Sequence, residues 1–161
     1  MCIRDSSSPA VATLADWIAK GELGTLRKVS IEVAFARWPR PWQADAAGWL
    51  DRREQGGFTR EVVSHFLFLS RRLIGPLHGL EASASFPEAG RSERAIAAKL
   101  LAGELPLTLT GGVGTTAKDD HNIWMVEGDK GAVRLCDWSL AERRLPDGSW
   151  QRAPDALSQL E

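Results

Sequence analysis

Glu61 and His65 stand four residues apart in the stretch EQGGFTREVVSHFLFLSRRLIG, just after Gly56 and Gly57. On a helix this spacing puts both side chains on one face, within reach of each other. A carboxylate there can orient an imidazole and stabilise it when it takes up a proton, the working need of a general acid/base near neutral pH. The same two residues also make an ordinary helix-surface pair. Two features weigh toward chemistry: the surrounding helix is otherwise apolar, and paired glycines let the preceding chain approach a ligand closely. Trp38, Trp42 and Trp49 crowd the loop ahead of those glycines. Their rings can stack on a sugar, although aromatic staples that fix a loop over a sheet are the commoner use. Trp49, nearest to Gly56, is the one expected to contact a ligand.

Other chemistry-bearing residues point to less. Asp119, Asp120 and His121 have metal-ligand side chains, but three adjacent residues entering a strand cannot all face one ion, so a polar loop is expected. The GGVG at Gly111 to Gly114 is expected to be a bulge or turn at the end of a strand. Arg71 and Arg72 suit a helix C-terminus, where cations are favoured. Two cysteines, Cys2 and Cys136, lack a CxxC partner and fit neither a disulfide scaffold nor a structural zinc site.

The chain's 161 residues suffice for one domain with a real core. Twenty basic against 21 acidic residues, with no basic stripe, argue against a nucleic-acid partner. The N-terminal MCIRDSSSPA has no apolar core of a signal peptide, and no apolar run is long enough to span a bilayer. A cytoplasmic protein is expected.

The elements that must hold the glutamate and histidine follow from periodicity. Val11, Leu14, Ala15 and Ile18 recur at helical spacing, with Gly21 or Gly24 as the stop. Leu26, Val29, Ile31, Val33 and Phe35 alternate, predicting a long strand with one wet face. A proline-held loop follows, then a short helical turn within 49–55. The histidine-bearing helix is predicted to begin at Thr59 as N-cap, to be apolar almost all round, and to end at Gly75-Pro76. Segment 77–86 alternates well. Segment 94–103 has helix-forming composition yet also alternates, and the turn at Gly103 to Pro106 favours a hairpin. Gly128-Asp129-Lys130-Gly131 joins two short strands, and Pro146-Asp147-Gly148 makes another turn. This order predicts an α+β fold: an open, mainly antiparallel sheet with helices packed on one face. The opposite face is expected to meet water or pair with a second copy.

GELG before a long strand, a Trp/Pro loop, GGFTREVVSHFLFLSRRLIGP and the later VEGDKGAVRL together resemble the C-terminal domain of the glucose–fructose oxidoreductase / inositol dehydrogenase / MocA family. The resemblance covers about Leu14 to Trp150. It implies a dihydrodipicolinate-reductase-like C-terminal fold. His65 falls on the family's catalytic histidine, Glu61 on its catalytic aspartate, and Gly56 and Gly57 on the first two of its three glycines. The sequence departs from the pattern with Phe58 for the third glycine, Val63 for a glycine before the histidine, and Phe68 where an aspartate is common. Phe58 and Val63 are expected to narrow the pocket or to mark drift.

The resemblance further implies hydride transfer between NAD or NADP and a hydroxyl-bearing carbon of a sugar or polyol. Gly56, Gly57 and Trp49 would bind substrate. The family's dinucleotide-binding Rossmann half, with its GxGxxG turn and Glu-Lys-Pro lysine, is absent from this sequence. Residues 1–8, polar, turn-like and outside any periodic pattern, are expected to be a disordered or foreign lead. Residues 9–161 would form a substrate-binding and oligomerisation domain, inactive alone and associating through its sheet face. The competing readings are a catalytically inactive binding or scaffolding protein of the same fold, and a stand-alone sheet dimer without ligand.

Overall fold

The computed structural model describes residues 8–154. Cys2 and most of the expected N-terminal lead fall outside that range. Helix α1, Pro9–Ala19, opens with proline in its first turn, and the Ser8 hydroxyl accepts from Val11 N–H at 3.3 Å. Ser8 thus supplies the acceptor that a first helical turn lacks. Strand β1 runs Leu26–Phe35, and a 3₁₀ helix at Pro41–Ala46 leads into a one-turn helix α2, Ala47–Leu50. Where the sequence suggested an irregular loop, the proline at the start of this 3₁₀ segment presets a helical φ. The long helix comes next, as a π turn over Thr59–Val63 continuing into α3, Ser64–Leu73.

Seven further strands follow: β2 Leu77–Ser85, β3 Ala95–Ala102, β4 Leu105–Val113, β5 His121–Gly128, β6 Ala132–Cys136, β7 Leu140–Arg144 and β8 Trp150–Arg152. They form one eight-stranded sheet in the order β2-β3-β4-β1-β5-β6-β7-β8. Only β1 and β4 pair in parallel; the rest are antiparallel. The predicted α+β architecture is the one observed. Segment 95–102 resolves as strand, because Ile96, Ala98 and Leu100 fall on the face that packs the core and Lys99 on the other.

The helices cover one face. Val29, Ile31, Val33 and Phe35 of β1 share a core with Val11 and Leu14 of α1 and with Phe58, Val62, Phe66 and Leu69 of the long helix. Trp124 of β5 is fully buried there, its indole N–H donating to Ser70 Oγ at 2.9 Å, so α3 is tied to the sheet by a satisfied polar contact. The long helix is not buried all round as expected: Phe68 is 40% exposed, and Ser64, Arg71 and Arg72 face solvent.

Two of the sequence's landmarks meet. Lys130 N–H donates to Leu23 O at 2.9 Å, Asp129 N–H to Thr25 O at 3.0 Å, and Thr25 N–H to Asp129 Oδ1 at 2.9 Å. The GELG turn therefore docks on the β5–β6 hairpin, and the two glycine motifs form one structural joint.

Candidate active site on the long helix

The helix that carries Glu61 and His65 is capped from a distance. Thr59, the expected N-cap, has its hydroxyl buried without a hydrogen-bond partner, while its backbone N–H donates to Glu93 Oε1 at 2.7 Å. Glu93 lies between β2 and β3 and is only 6% exposed. A carboxylate at this end meets both the unpaired N–H and the positive pole of the helix. Thr59 fails as a cap because Phe58 ahead of it is already helical, at φ −67° and ψ −23°. The first turn then closes as a π turn, a wider loop that is often found at functional sites.

Glu61 and His65 do share a face. With Arg60 and Ser64 they line a cavity of about 200 Å³. Both are half-buried. The Ser64 hydroxyl donates to Arg60 O, and the Arg60 guanidinium to Glu54 O, which settles the rim. The His65 ring meets Trp138 edge to face, with centroids 5.6 Å apart and planes at 85°. Trp138 in turn stacks on Phe66 at 4.8 Å. The cavity thus gathers a carboxylate, an imidazole, a hydroxyl and a guanidinium, in which the imidazole can take or give a proton and the others can hydrogen-bond.

Phe58 and Val63 do not narrow this cavity. Both are fully buried in the hydrophobic core. Phe58 packs on Phe35 at 5.4 Å and Trp38 at 6.1 Å, above Gly111, where any Cβ would lie 2.7 Å from its ring. Burying such a ring contributes on the order of 2–3 kcal/mol. The residue that replaced a glycine therefore anchors the start of the helix.

Gly56 and Gly57 are buried, and their space is taken by protein. A Cβ at Gly56 would sit 1.9 Å from Leu50 O. That carbonyl also accepts from Gly57 N–H at 2.7 Å and from Trp38 Nε1 at 3.1 Å. Gly57 has φ +102°, and a Cβ there would meet the Glu93 carboxylate at 2.3 Å. The pair lets the chain turn tightly under its own loop. The tryptophans differ in burial. Trp38, 5% exposed, is the staple; Trp42 and Trp49, 70% and 46% exposed, present rings to solvent. Trp49 stands outside the lining of the cavity.

Two polar clusters brace this arrangement. Asp51 accepts from Ser92 Oγ at 2.9 Å and pairs with Arg91 and Arg94 at 2.8 and 2.9 Å, fastening the segment before the glycines to the one that carries Glu93. Burial alone would push the Asp51 carboxyl up, but hydrogen bonds from Arg94, Ser92 and Arg91 together outweigh it and hold the carboxyl below its ordinary value. Asp120 pairs with buried Arg40 and accepts from Asn122 Nδ2 at 3.0 Å and Trp138 Nε1 at 3.2 Å. Its oxygens are thus engaged by protein donors.

The sequence flagged Glu61 and His65 and passed over Arg60 and Ser64, whose own spacing of four marks the same face. Glu93 and Trp138 reach the site only through the fold.

The profile of one family, described as the GFO/IDH/MocA C-terminal domain, matches residues 11–134. The chain belongs to that family. The Gfo/Idh/MocA domain seen here is the C-terminal part of a family of oxidoreductases. No curated protein matches the sequence. Among solved structures, an inositol dehydrogenase homologue complexed with NAD+ from Azotobacter vinelandii is similar over 92% of this chain and 41% of its own, with TM-score 0.76 and 17% identity. The WlbA dehydrogenase of Bordetella pertussis, in complex with NADH and UDP-GlcNAcA, is similar over 94% and 45%, with TM-score 0.66 and 20% identity. KijD10, a 3-ketoreductase from Actinomadura kijaniata in complex with TDP-benzene and NADP, is similar over 93% and 46%, with TM-score 0.70 and 14% identity. At such identities the likeness is one of fold. The Gfo/Idh/MocA domain spans less than half the length of each of these three. Among its described residues no helix is long and apolar enough to cross a membrane.

Proposed function

We propose that this domain is the substrate side of a nicotinamide-dependent oxidoreductase that acts on a hydroxyl of a sugar or polyol. The observation that supports the reading is the cavity shared by Glu61 and His65; the sequence resemblance puts His65 at the place of the family's catalytic histidine. His65 takes the hydroxyl proton during oxidation, or returns it during reduction, and Glu61 orients the ring or binds a neighbouring hydroxyl. At the rim the remaining guanidinium N–H groups of Arg60 offer donors to a polyol, and the Ser64 oxygen, whose own proton goes to Arg60 O, offers an acceptor. NAD or NADP, bound by a dinucleotide-binding half outside this chain, would supply the hydride chemistry. The donor set of the cavity matches hydroxyl groups.

Trp49 extends the substrate surface beyond the cavity by presenting its ring to solvent, and Gly56 and Gly57 shape the site by letting the loop fold beneath it. The burial of Phe58 and Val63 in the core supports the enzymatic reading over an inactive scaffold, because neither departure fills the cavity. The uncovered sheet face, carrying Ser30, Thr108, Ile123 and Met125, serves self-association. Sedimentation checks this, and a monomer at every concentration contradicts it. Ligand binding is tested by titrating the chain with polyols and nucleotide sugars while observing its histidine side-chain resonances by NMR. The His65 signals should move and those of His78 should not; a ligand that binds without moving His65 refutes the assignment.

A further inference from the structure

Trp138 is held with more restraint than a surface hairpin requires. It sits at the β6–β7 turn at φ +70°, after Asp137 at φ +46°. Consecutive left-handed positions of this kind belong to glycine or asparagine, and a bulky residue there persists only when its surroundings fix it. Three bonds do so. Asn122 Oδ1 accepts the Trp138 backbone N–H at 3.1 Å, and Asp120 Oδ2 accepts its indole N–H at 3.2 Å. Asn122 O also accepts from Asp137 N–H at 2.9 Å. Asn122 is fully buried and donates to Asp120 Oδ1 at 3.0 Å. Asp120 is itself clamped by Arg40, which is 7% exposed and lies over the Trp42 ring at 4.5 Å.

The far side of this network is the site helix. Trp138 stacks on Phe66 and receives the His65 ring at 85°. We infer that Trp138 is a positioning residue for His65, acting beside Glu61, and that Asp120 joins it to Arg40 of the tryptophan loop. The inference rests on the reading of His65 as the acid/base, for which it names one wall that restricts the ring. An imidazole that must meet one hydroxyl gains from a wall that removes its other rotamers before substrate arrives.

The test uses the 161-residue chain without substrate. It has three histidines, His65, His78 and His121, which imidazole labelling resolves by NMR. In the wild type, His65 should show one χ1 rotamer by its three-bond couplings and cross-relaxation to the Trp138 ring. Trp138→Leu should average the His65 couplings while leaving those of His78 unchanged. Trp138→Phe keeps a stacked ring but cannot donate to Asp120, and should give partial averaging. A His65 that keeps a single rotamer in Trp138→Leu overturns the proposal. Should that variant unfold, bringing all three histidines to random-coil shifts, Trp138→Phe decides alone: averaged couplings support the proposal and wild-type couplings overturn it. The measurement needs no ligand, so its failure leaves the acid/base reading standing, and failure of ligand binding at His65 leaves this packing result intact.

Discussion

Replacing Glu93 probes how the site helix is started. In Glu93→Ala the Thr59 N–H, which now donates to a carboxylate oxygen at 2.7 Å, loses its acceptor inside a shielded joint. An orphaned donor of this kind costs about 1–3 kcal/mol, and loss of a negative charge at a helix N-terminus adds about 0.3–1 kcal/mol. The expected destabilisation is therefore about 1–4 kcal/mol. Glu93→Gln keeps an acceptor and should cost only about 0.3–1 kcal/mol, through the charge alone. Urea unfolding followed by tryptophan fluorescence gives both values, and hydrogen exchange at Thr59 to Ser64 locates the effect. Faster exchange there, with β5 and β6 unchanged at sub-denaturing urea, is the expected pattern. A Glu93→Ala variant within about 0.5 kcal/mol of wild type, with unchanged exchange at Thr59, would refute the long-range cap.

Other substitutions separate the roles of neighbouring residues. Gly56→Ala forces the Leu50 carbonyl out of two hydrogen bonds and should cost about 2–4 kcal/mol by urea titration. Trp38→Ala should cost about 3–5 kcal/mol as a core truncation, whereas Trp42→Ala should stay within about 1 kcal/mol despite being the same residue type four positions on. The Asp51 carboxyl is held below its ordinary value of 3.8, so the folded state binds fewer protons there than the unfolded chain. Its contribution is complete above that ordinary value and is lost as pH falls through the folded value. Asp51→Asn should therefore be destabilised at neutral pH and show a flatter acid limb in unfolding midpoint against pH.

The strand periodicity of segment 26–35 and the turns at Gly103, Gly128 and Gly148 were legible because a half-buried strand writes its burial pattern directly into residue type. So was the Glu61–His65 face, since a spacing of four survives whether the turn closes as α or π. The start of that helix was not legible. Thr59 has the right side chain for a cap, but the competition was settled by Phe58, which buries itself in the Phe35–Trp38 cluster and draws the first turn one residue earlier. The glycines were legible only as points of close approach. A residue without Cβ marks close approach, but local sequence does not say what approaches; here it is the Leu50 carbonyl and the Glu93 carboxylate. Trp138 and Asp120 lie more than fifty positions beyond His65, and only sheet pairing brings them to it.

The central claim is that His65 handles the substrate proton in a hydride transfer, and it is tested most directly in the protein that joins this chain to a dinucleotide-binding half. Nicotinamide absorbance is followed across sugars and polyols, with NAD and with NADP, for the wild type and for His65→Asn. General acid/base loss predicts a drop in kcat of about 10²–10⁴-fold with the fold retained. A His65→Asn protein that keeps its kcat within about threefold on the preferred substrate would contradict the account.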